Sequence, residues 1–332
     1  MIPLLQVADL ETTFHNPKKD LVAVRNISFS VNSGETLCIV GESGCGKSLT
    51  SLSIMGLLPT KGKVTNGSIL LKDEELTTKS EEQMERIRGN KVSMIFQEPM
   101  TALNPVLTIG FQLRESLMIH RKMSKKQATE KSIEMLVKVG IPSPEERLRQ
   151  YPHELSGGMR QRVMIAIALA CEPDLLIADE PTTALDVTIQ SQILDLIDEL
   201  QQEMGMGVVF VTHDMGVVAE IADRVMVMYA GGVVETADVD AIFENPQHPY
   251  TKGLLHSVPD VDNPSQELKI IEGSMPSLDD EITGCRFHPR CPFAMEKCKQ
   301  QEPPTFNLNS THESKCWLQE VTESERNTVT RG

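Results

Sequence analysis

Gly41-Glu42-Ser43-Gly44-Cys45-Gly46-Lys47-Ser48 has the G-x-x-x-x-G-K-S spacing of a phosphate-binding loop. The run before it, Thr36-Leu37-Cys38-Ile39-Val40, is short, apolar and partly β-branched, which predicts a buried parallel strand. After it, residues 48–58 read as a helix with apolar Leu49, Leu52 and Met55 at helical spacing, stopped by Pro59. A strand, a glycine-rich turn and a helix N-terminus in that order make an anion site. Backbone N–H groups along Gly41, Ser43, Gly44, Cys45, Gly46 and on to Leu49 face the phosphates, and the helix dipole favours negative charge. Lys47 reaches the β- and γ-oxygens, and Ser48 offers its hydroxyl to Mg²⁺. The glycines are needed because a Cβ would block the tight turn and the approach of backbone to ligand. The stretch predicts a nucleoside triphosphate as ligand.

The chain's 332 residues suffice for one large domain and a smaller appendage. Its net charge of −15 argues against general nucleic-acid binding, which needs Lys and Arg to neutralise phosphates. The longest apolar run, residues 163–171, is too short to span a bilayer and reads as a core helix. The N-terminus lacks a basic region and a cleavage site, so the expected location is the cytosol, with any membrane contact made through a partner. Of seven cysteines, Cys38, Cys45 and Cys171 read as small buried apolar residues. Cys285, Cys291, Cys298 and Cys316 gather near the C-terminus, where a reducing cytosol favours a metal or cluster site over disulfides.

Around the loop, the first forty residues read as β structure, in runs 4–10 and 22–31. Further strands are expected at 67–71 and 92–96. From 98 to about 172 the pattern turns helical, with periodic stretches at 108–120, 125–139 and 158–170, which predicts a helical insertion. The α/β alternation resumes with a strand at 174–178 and a helix at 187–204 whose apolar face is Ile189, Ile193, Ile197, Leu200 and Met204. A strand at 207–212, a helix at 215–221 and a strand at 224–229 follow, so a mostly parallel sheet with right-handed crossovers is expected. Residues 258–284 read as an irregular connection, and those after Trp317 as a frayed end.

Leu175-Leu176-Ile177-Ala178-Asp179-Glu180 is an apolar strand ending in two carboxylates. Lying next to the phosphate-loop strand, it would deliver Asp179 to Mg²⁺ and Glu180 to the γ-phosphate side, where Glu180 could orient or deprotonate a water. Leu155-Ser156-Gly157-Gly158-Met159-Arg160-Gln161-Arg162 presents a second bare helix N-terminus. One triphosphate has no use for two such sites in one globule unless they come from different molecules; the plain alternative is an N-capped helix.

Taken together, the 41–48 loop, Gln97, the 155–161 stretch, Asp179-Glu180, Ala184-Leu185-Asp186 and His213 resemble the ATP-binding-cassette ATPases in order and spacing. The resemblance implies a P-loop α/β fold: a mostly parallel sheet core, an N-terminal antiparallel β subdomain, an inserted helical subdomain and a small irregular C-terminal extension. It implies that Phe14 stacks on adenine and that Gln97 reads the Mg²⁺ site and touches transport subunits. Ser156 and Gly158 would grip the γ-phosphate bound by an opposite subunit, Asp186 would cross the dimer interface, and His213 would hydrogen-bond the γ-phosphate. Gln97-Glu98-Pro99-Met100-Thr101-Ala102-Leu103-Asn104-Pro105, His248-Pro249-Tyr250 and Gly284-Cys285-Arg286-Phe287-His288-Pro289-Arg290-Cys291-Pro292 are similar to the oligopeptide and dipeptide permease ATPases. On that likeness residues 1–257 form the nucleotide-binding domain, 258–320 the extension and 321–332 a disordered tail. Cys285, Cys291, Cys298 and Cys316 are too widely spaced for a zinc ribbon; the resemblance implies a [4Fe–4S] cluster there, with Zn²⁺ or free thiols as alternatives.

The function so implied is ATP hydrolysis energising import of di- and oligopeptides, on the cytoplasmic face of the membrane. The implied partners are a second, paralogous ATPase subunit, two permease subunits and an extracytoplasmic solute-binding protein. Nickel or another small solute is the alternative cargo. A soluble, non-transport cassette protein is the rival class; it would need a long coiled coil or two cassettes, and the chain has neither.

Overall fold

The computed structural model describes residues 2–98, 102–183, 186–257 and 271–320. Its centre is an eight-stranded sheet in the order β11-β12-β10-β9-β3-β8-β7-β6. The strands are β3 (Thr36–Val40), β6 (Val92–Ile95), β7 (Leu175–Asp179), β8 (Gly207–Thr212), β9 (Arg224–Tyr229), β10 (Gly232–Asp238), β11 (Phe306–Asn307) and β12 (Glu313–Ser314). From β9 to β6 every pairing is parallel. Strands covered on both faces are largely apolar, and β3, β6, β7 and β8 are buried at every position.

A smaller antiparallel sheet is built from β1 (Leu5–Phe14), β2 (Leu21–Val31), β4 (Gly62–Leu71) and β5 (Glu74–Glu75), in the order β2-β1-β4-β5. The strand expected at 67–71 thus starts earlier, because the whole of β4 pairs along β1. Helix α1 (Lys47–Met55) lies between the sheets. It ends sooner than Pro59 would require, since Gly56 takes the left-handed conformation and closes the last turn with bonds to Leu52 and Ser53 carbonyls. Its buried face also differs from the expected one. Thr50, Ser51, Ser53, Ile54 and Met55 are buried, while Leu49 and Leu52 are only partly covered. Polar residues are tolerated there because Thr50 bonds the Gly46 carbonyl and Ser53 bonds Leu49 and Thr12.

Helix α2 (Glu81–Ile87) carries a Ser80/Gln83 capping box that the sequence reading passed over. Between β6 and β7 come α3 (Ile109–His120), α4 (Lys125–Lys138), the short α5 (Pro144–Arg147) and α6 (Gly157–Leu169), the predicted helical insertion. The apolar run 163–171 is buried in its core, as expected. Helix α7 (Val187–Met204) buries Ile193, Ile197 and Leu200 as expected and adds Leu194 and Leu196, whereas Ile189 and Met204 sit at the margin. The remaining α-helices among the described residues are α8 (Met215–Ile221), α9 (Val239–Glu244), α10 (Pro249–His256) and α11 (Glu296–Gln300).

The C-terminal part is joined to the main sheet. Strand β12 pairs with β10, and beneath that pairing lies the Glu235 carboxylate, fully buried. It accepts the Gln247 and His248 N–H groups at 2.7 and 2.8 Å and faces His312 Nε2 at 2.7 Å. A buried carboxylate with three polar partners is an anchor rather than a surface charge.

Candidate active site

The 41–48 loop leaves β3 at the centre of the parallel sheet, so its geometry is dictated by close neighbours. Gly41 has φ 151°, and a Cβ there would stand 2.3 Å from the Met228 carbonyl oxygen, which excludes every other residue. Gly46 has φ 109° and sits 3.2 Å, from its would-be Cβ, below the Ala23 carbonyl. Lys47 is buried, and its Nζ donates to the Gly41 and Glu42 carbonyls at 2.7 and 3.2 Å. The ammonium thus lies curled within its own loop, where phosphate oxygens can replace two carbonyls. Cys45 is fully buried behind the loop, and burial pushes its thiol up, so it is a packing residue.

Asp179 closes β7, but β7 is not beside the loop's strand: β8 lies between β3 and β7. The expected adjacency is therefore corrected. Helix α1 bridges the gap, because Ser48 on its first turn reaches across and donates to Asp179 Oδ1 at 3.0 Å. Both oxygens are hard donors on one largely covered spot, the kind of set Mg²⁺ takes. Desolvation holds the Asp179 carboxyl above its ordinary range, with the Ser48 bond working against it.

Glu180 has φ 47°, a left-handed conformation costly for a side-chain-bearing residue. Its N–H is fixed on the Val211 carbonyl at 2.9 Å. The carboxylate, 14% exposed, accepts from Gln97 Nε2 and Thr183 Oγ1, each 3.0 Å from Oε2, while His213 Nδ1 stands 3.3 Å from Oε1. His213 is itself largely exposed at the end of β8. Interposing β8 is what places His213 between the loop and Glu180.

The other expected positions are spread wider. Phe14, at the end of β1, leans over Gly62, whose would-be Cβ lies 3.0 Å from the ring. Ser156 caps α6 by accepting the Met159 N–H at 3.3 Å; Gly158 follows in the first turn, facing Ile189. Asp186 caps α7 through the Ile189 N–H at 2.9 Å. Ala184, Leu185, Pro99, Met100 and Thr101 fall outside the described residues. Three contributors escaped the sequence reading. Thr183 is three residues past Glu180, a spacing that a search for local donors would catch. Gln161 donates to the Pro181 carbonyl and ties α6 to the carboxylate turn. Tyr250 touches the loop from a distance of 208 positions in sequence, which no local pattern signals.

The four C-terminal cysteines lie in one small module. The Cys285 N–H donates to the Cys298 carbonyl, Cys298 and Cys316 are buried, and Cys285 and Cys291 are half-buried. Burial pushes the Cys291 and Cys316 thiols up to about 11 and about 12 and raises that of Cys285, and the neighbouring thiols of the same module add to each shift. Among the described residues no group of three or more Cys, His, Asp or Glu side chains is set to hold a metal ion. The [4Fe–4S] and Zn²⁺ expectations thus find no metal-holding group to support them among the described residues.

One end of the parallel sheet thus holds a phosphate cradle, an oxygen pair for a dication and a hydrogen-bonded carboxylate, the parts needed to cleave a phosphoanhydride with water. The sequence matches the ABC transporter family over residues 24–183 and the oligopeptide/dipeptide transporter C-terminal region over 234–298. It is 53% identical over 327 residues to the oligopeptide transport ATP-binding protein AppD of Bacillus subtilis, covering 98% of this chain and 100% of that one. The dipeptide transport ATP-binding protein DppD of the same organism is 54% identical over 321 residues, 96% of each chain. Among solved structures, the dimeric post-hydrolysis form of the ATP-binding cassette MJ0796, bound to ADP and Pi, superposes with a TM-score of 0.64 at 28% identity. That match covers 71% of this chain and 98% of the cassette.

Proposed function

The chain belongs to the ABC transporter ATPases, in their oligopeptide/dipeptide branch, and from that premise we propose that it is the ATP-hydrolysing subunit of an importer of di- and oligopeptides. The observation that carries the cargo is the full-length match to peptide-transport relatives, C-terminal region included.

In this reading residues 1–257 are the nucleotide-binding unit, with the helical insertion at about 98–172, and 258–320 are the extension. ATP enters with its phosphates on the 41–48 backbone; Lys47 leaves the Gly41 and Glu42 carbonyls for phosphate oxygens. The loop N–H groups from Gly41, Ser43, Gly44, Cys45 and Gly46 through to Leu49 line the phosphates, and Phe14 flanks the base. Mg²⁺, when bound at Ser48 and Asp179 with Gln97 nearby, neutralises charge on the phosphates. Glu180 orients a water and takes its proton, held in place by Gln97 and Thr183. His213 donates to the γ-phosphate in this reading. Ser156, Gly158 and Asp186 serve the nucleotide of a second ATPase subunit. A metal or cluster on the four cysteines forms no part of this reading.

Among the described residues no helix is long and apolar enough to cross a membrane, which supports a peripheral subunit that works through two permeases and a solute-binding protein. The test is reconstitution of the chain in vesicles with its permeases, second ATPase subunit and solute-binding protein. Uptake of labelled di- or oligopeptide that stops on Lys47→Ala is expected. Peptide-independent ATP hydrolysis together with uptake of a non-peptide solute would overturn the cargo.

A further inference from the structure

Glu42 is a curious neighbour for phosphate, since its carboxylate carries the ligand's own sign within the loop. The structure answers that charge from the far end of the chain. The Arg290 guanidinium forks onto it, Nη1 to Oε2 at 2.7 Å and Nη2 to Oε1 at 3.0 Å, with the arginine side chain only 6% exposed. Its Nε donates to the Glu272 carbonyl at 2.9 Å and its Nη2 to that of Ile271 at 3.2 Å, so the fork cannot swing away freely. Pairing with Glu42 raises the guanidinium's already high pKa further.

The backbone of the same residue is held separately. The Glu42 N–H donates to the Tyr250 hydroxyl at 2.8 Å. Tyr250 is fully buried, its ring 4.7 Å from Tyr229 and 5.4 Å from Phe287. Phe287 and Arg290 belong to one short segment, closed by the Arg290 N–H on the Phe287 carbonyl at 3.0 Å. The side chain of one loop residue is thus gripped by Arg290 of the extension and its main chain by Tyr250, which packs against Phe287 of that same extension.

We propose that Arg290 is a positioning residue for ATP binding: it neutralises Glu42 and, with Tyr250, holds the phosphate loop in its binding shape. The C-terminal extension is thereby a component of the nucleotide site. Two physical effects act in one direction. A loop already ordered loses less freedom when the ligand arrives. A bidentate arginine also removes the repulsion that a bare carboxylate would exert on phosphate. The inference rests on the ATP reading of the 41–48 loop.

The experiment is equilibrium displacement of a fluorescent ATP analogue by ATP on the full chain. Arg290→Ala should weaken ATP binding about tenfold, Arg290→Lys, which keeps charge but not the fork, by about threefold. In a Glu42→Gln background the same Arg290→Ala change should cost less than about threefold, because the charge it answers is gone. Amide exchange over residues 41–46 without nucleotide should quicken in Arg290→Ala. The inference is overturned if Arg290→Ala binds within about twofold of the parent, or if its loss is equal in both backgrounds. If Arg290→Ala does not fold, Arg290→Lys in the two backgrounds decides by the same criterion. Lys47→Ala separates the two readings: normal ATP binding by that variant sinks the ATP site itself, whereas its loss beside a normal Arg290→Ala sinks only the role of Arg290.

Discussion

Glu180→Gln removes a proton acceptor while keeping the shape of the side chain, so its effect can be worked out bond by bond. Gln97 Nε2 and Thr183 Oγ1 both donate to Oε2. An amide oxygen at that position keeps both bonds, and the new NH₂ turns toward His213 Nδ1, now 3.3 Å from Oε1. The left-handed backbone at φ 47° is no harder for Gln than for Glu. Stability should therefore change by less than about 1 kcal/mol. ATP affinity should stay within about threefold, because the loop, Lys47, Ser48 and Asp179 are untouched. What is lost is the base: a positioned general base is worth about 10²–10⁴ in rate, or about 3–5 kcal/mol of barrier. The assay is single-turnover phosphate release at saturating ATP, run beside an ATP affinity measurement on the same preparation. Slow release at unchanged affinity is expected, with the ATP-loaded two-subunit species accumulating on size exclusion. Release above about a tenth of the parent rate, at unchanged affinity, would falsify the assignment of Glu180 as base.

Three further outcomes are open to measurement. Burial raises the Asp179 pKa, so in the folded chain the carboxyl favours its proton: this stability is full below the unfolded value of 3.8 and lost as pH rises through the folded one. Mg²⁺ should compensate only the ionised form, so its stabilisation in melting curves should grow as pH rises from 3.8 through the folded pKa, and be absent in Asp179→Asn; a stabilisation that does not change with pH over that rise would refute this. Glu235→Ala strips three buried partners of their acceptor and should cost about 3–5 kcal/mol in urea unfolding, loosening the β10–β12 pairing; a cost below about 1 kcal/mol would refute the anchor. Burial depresses the His248 pKa to about 3, and its Nδ1 accepts the Tyr250 N–H at 3.0 Å. Its share of stability is thus present above the unfolded value of 6.5 and lost as pH falls through about 3, so His248→Asn, which keeps a capping acceptor, should flatten the acid arm of a stability–pH curve.

The central sheet and the helical insertion were legible because their signals are local. A fully buried strand such as β7 or β8 is an unbroken apolar run, and Ser156 or Asp186 announces its helix by residue type. The order of strands was not, since nothing in Leu175–Asp179 says that β8 will lie between it and β3. Of the residues read from motifs, Ser48 meets Asp179 and Gln97 meets Glu180, yet mutual geometry was missed wherever a partner is remote. Helix α1 illustrates the limit. Leu49 and Leu52 obey helical spacing, but two sheets press on α1 and bury Thr50 and Ser53, whose hydroxyls find carbonyls, and Ser51 beside them. The two-residue strands of the C-terminal part carry too little pattern to be read; they exist because β10 offers an edge and Glu235 an anchor.

A contrast between the two halves of the chemistry bears on the proposed second subunit. The base of the phosphate loop is enclosed: Cys45 and Lys47 are buried, as is Asp179 beside it, and Gly41 has no room for a methyl group, while Ser43 and Gly44 at the tip are exposed. The start of α6 is the reverse. Ser156 and Gly157 are exposed, and a Cβ on Gly157 would meet nothing within 4 Å. A glycine with open space and an ordinary φ is not required by this chain's own packing, and at a helix start it costs stability against alanine. Its use is to let something approach the bare N–H groups closely, as a phosphate would. In the proposed pair each chain would carry one cradle and one grip, so ATP bound in the first would be a surface for the second. Association would then depend on the γ-phosphate, and hydrolysis at Glu180 would remove the group that holds the two subunits together.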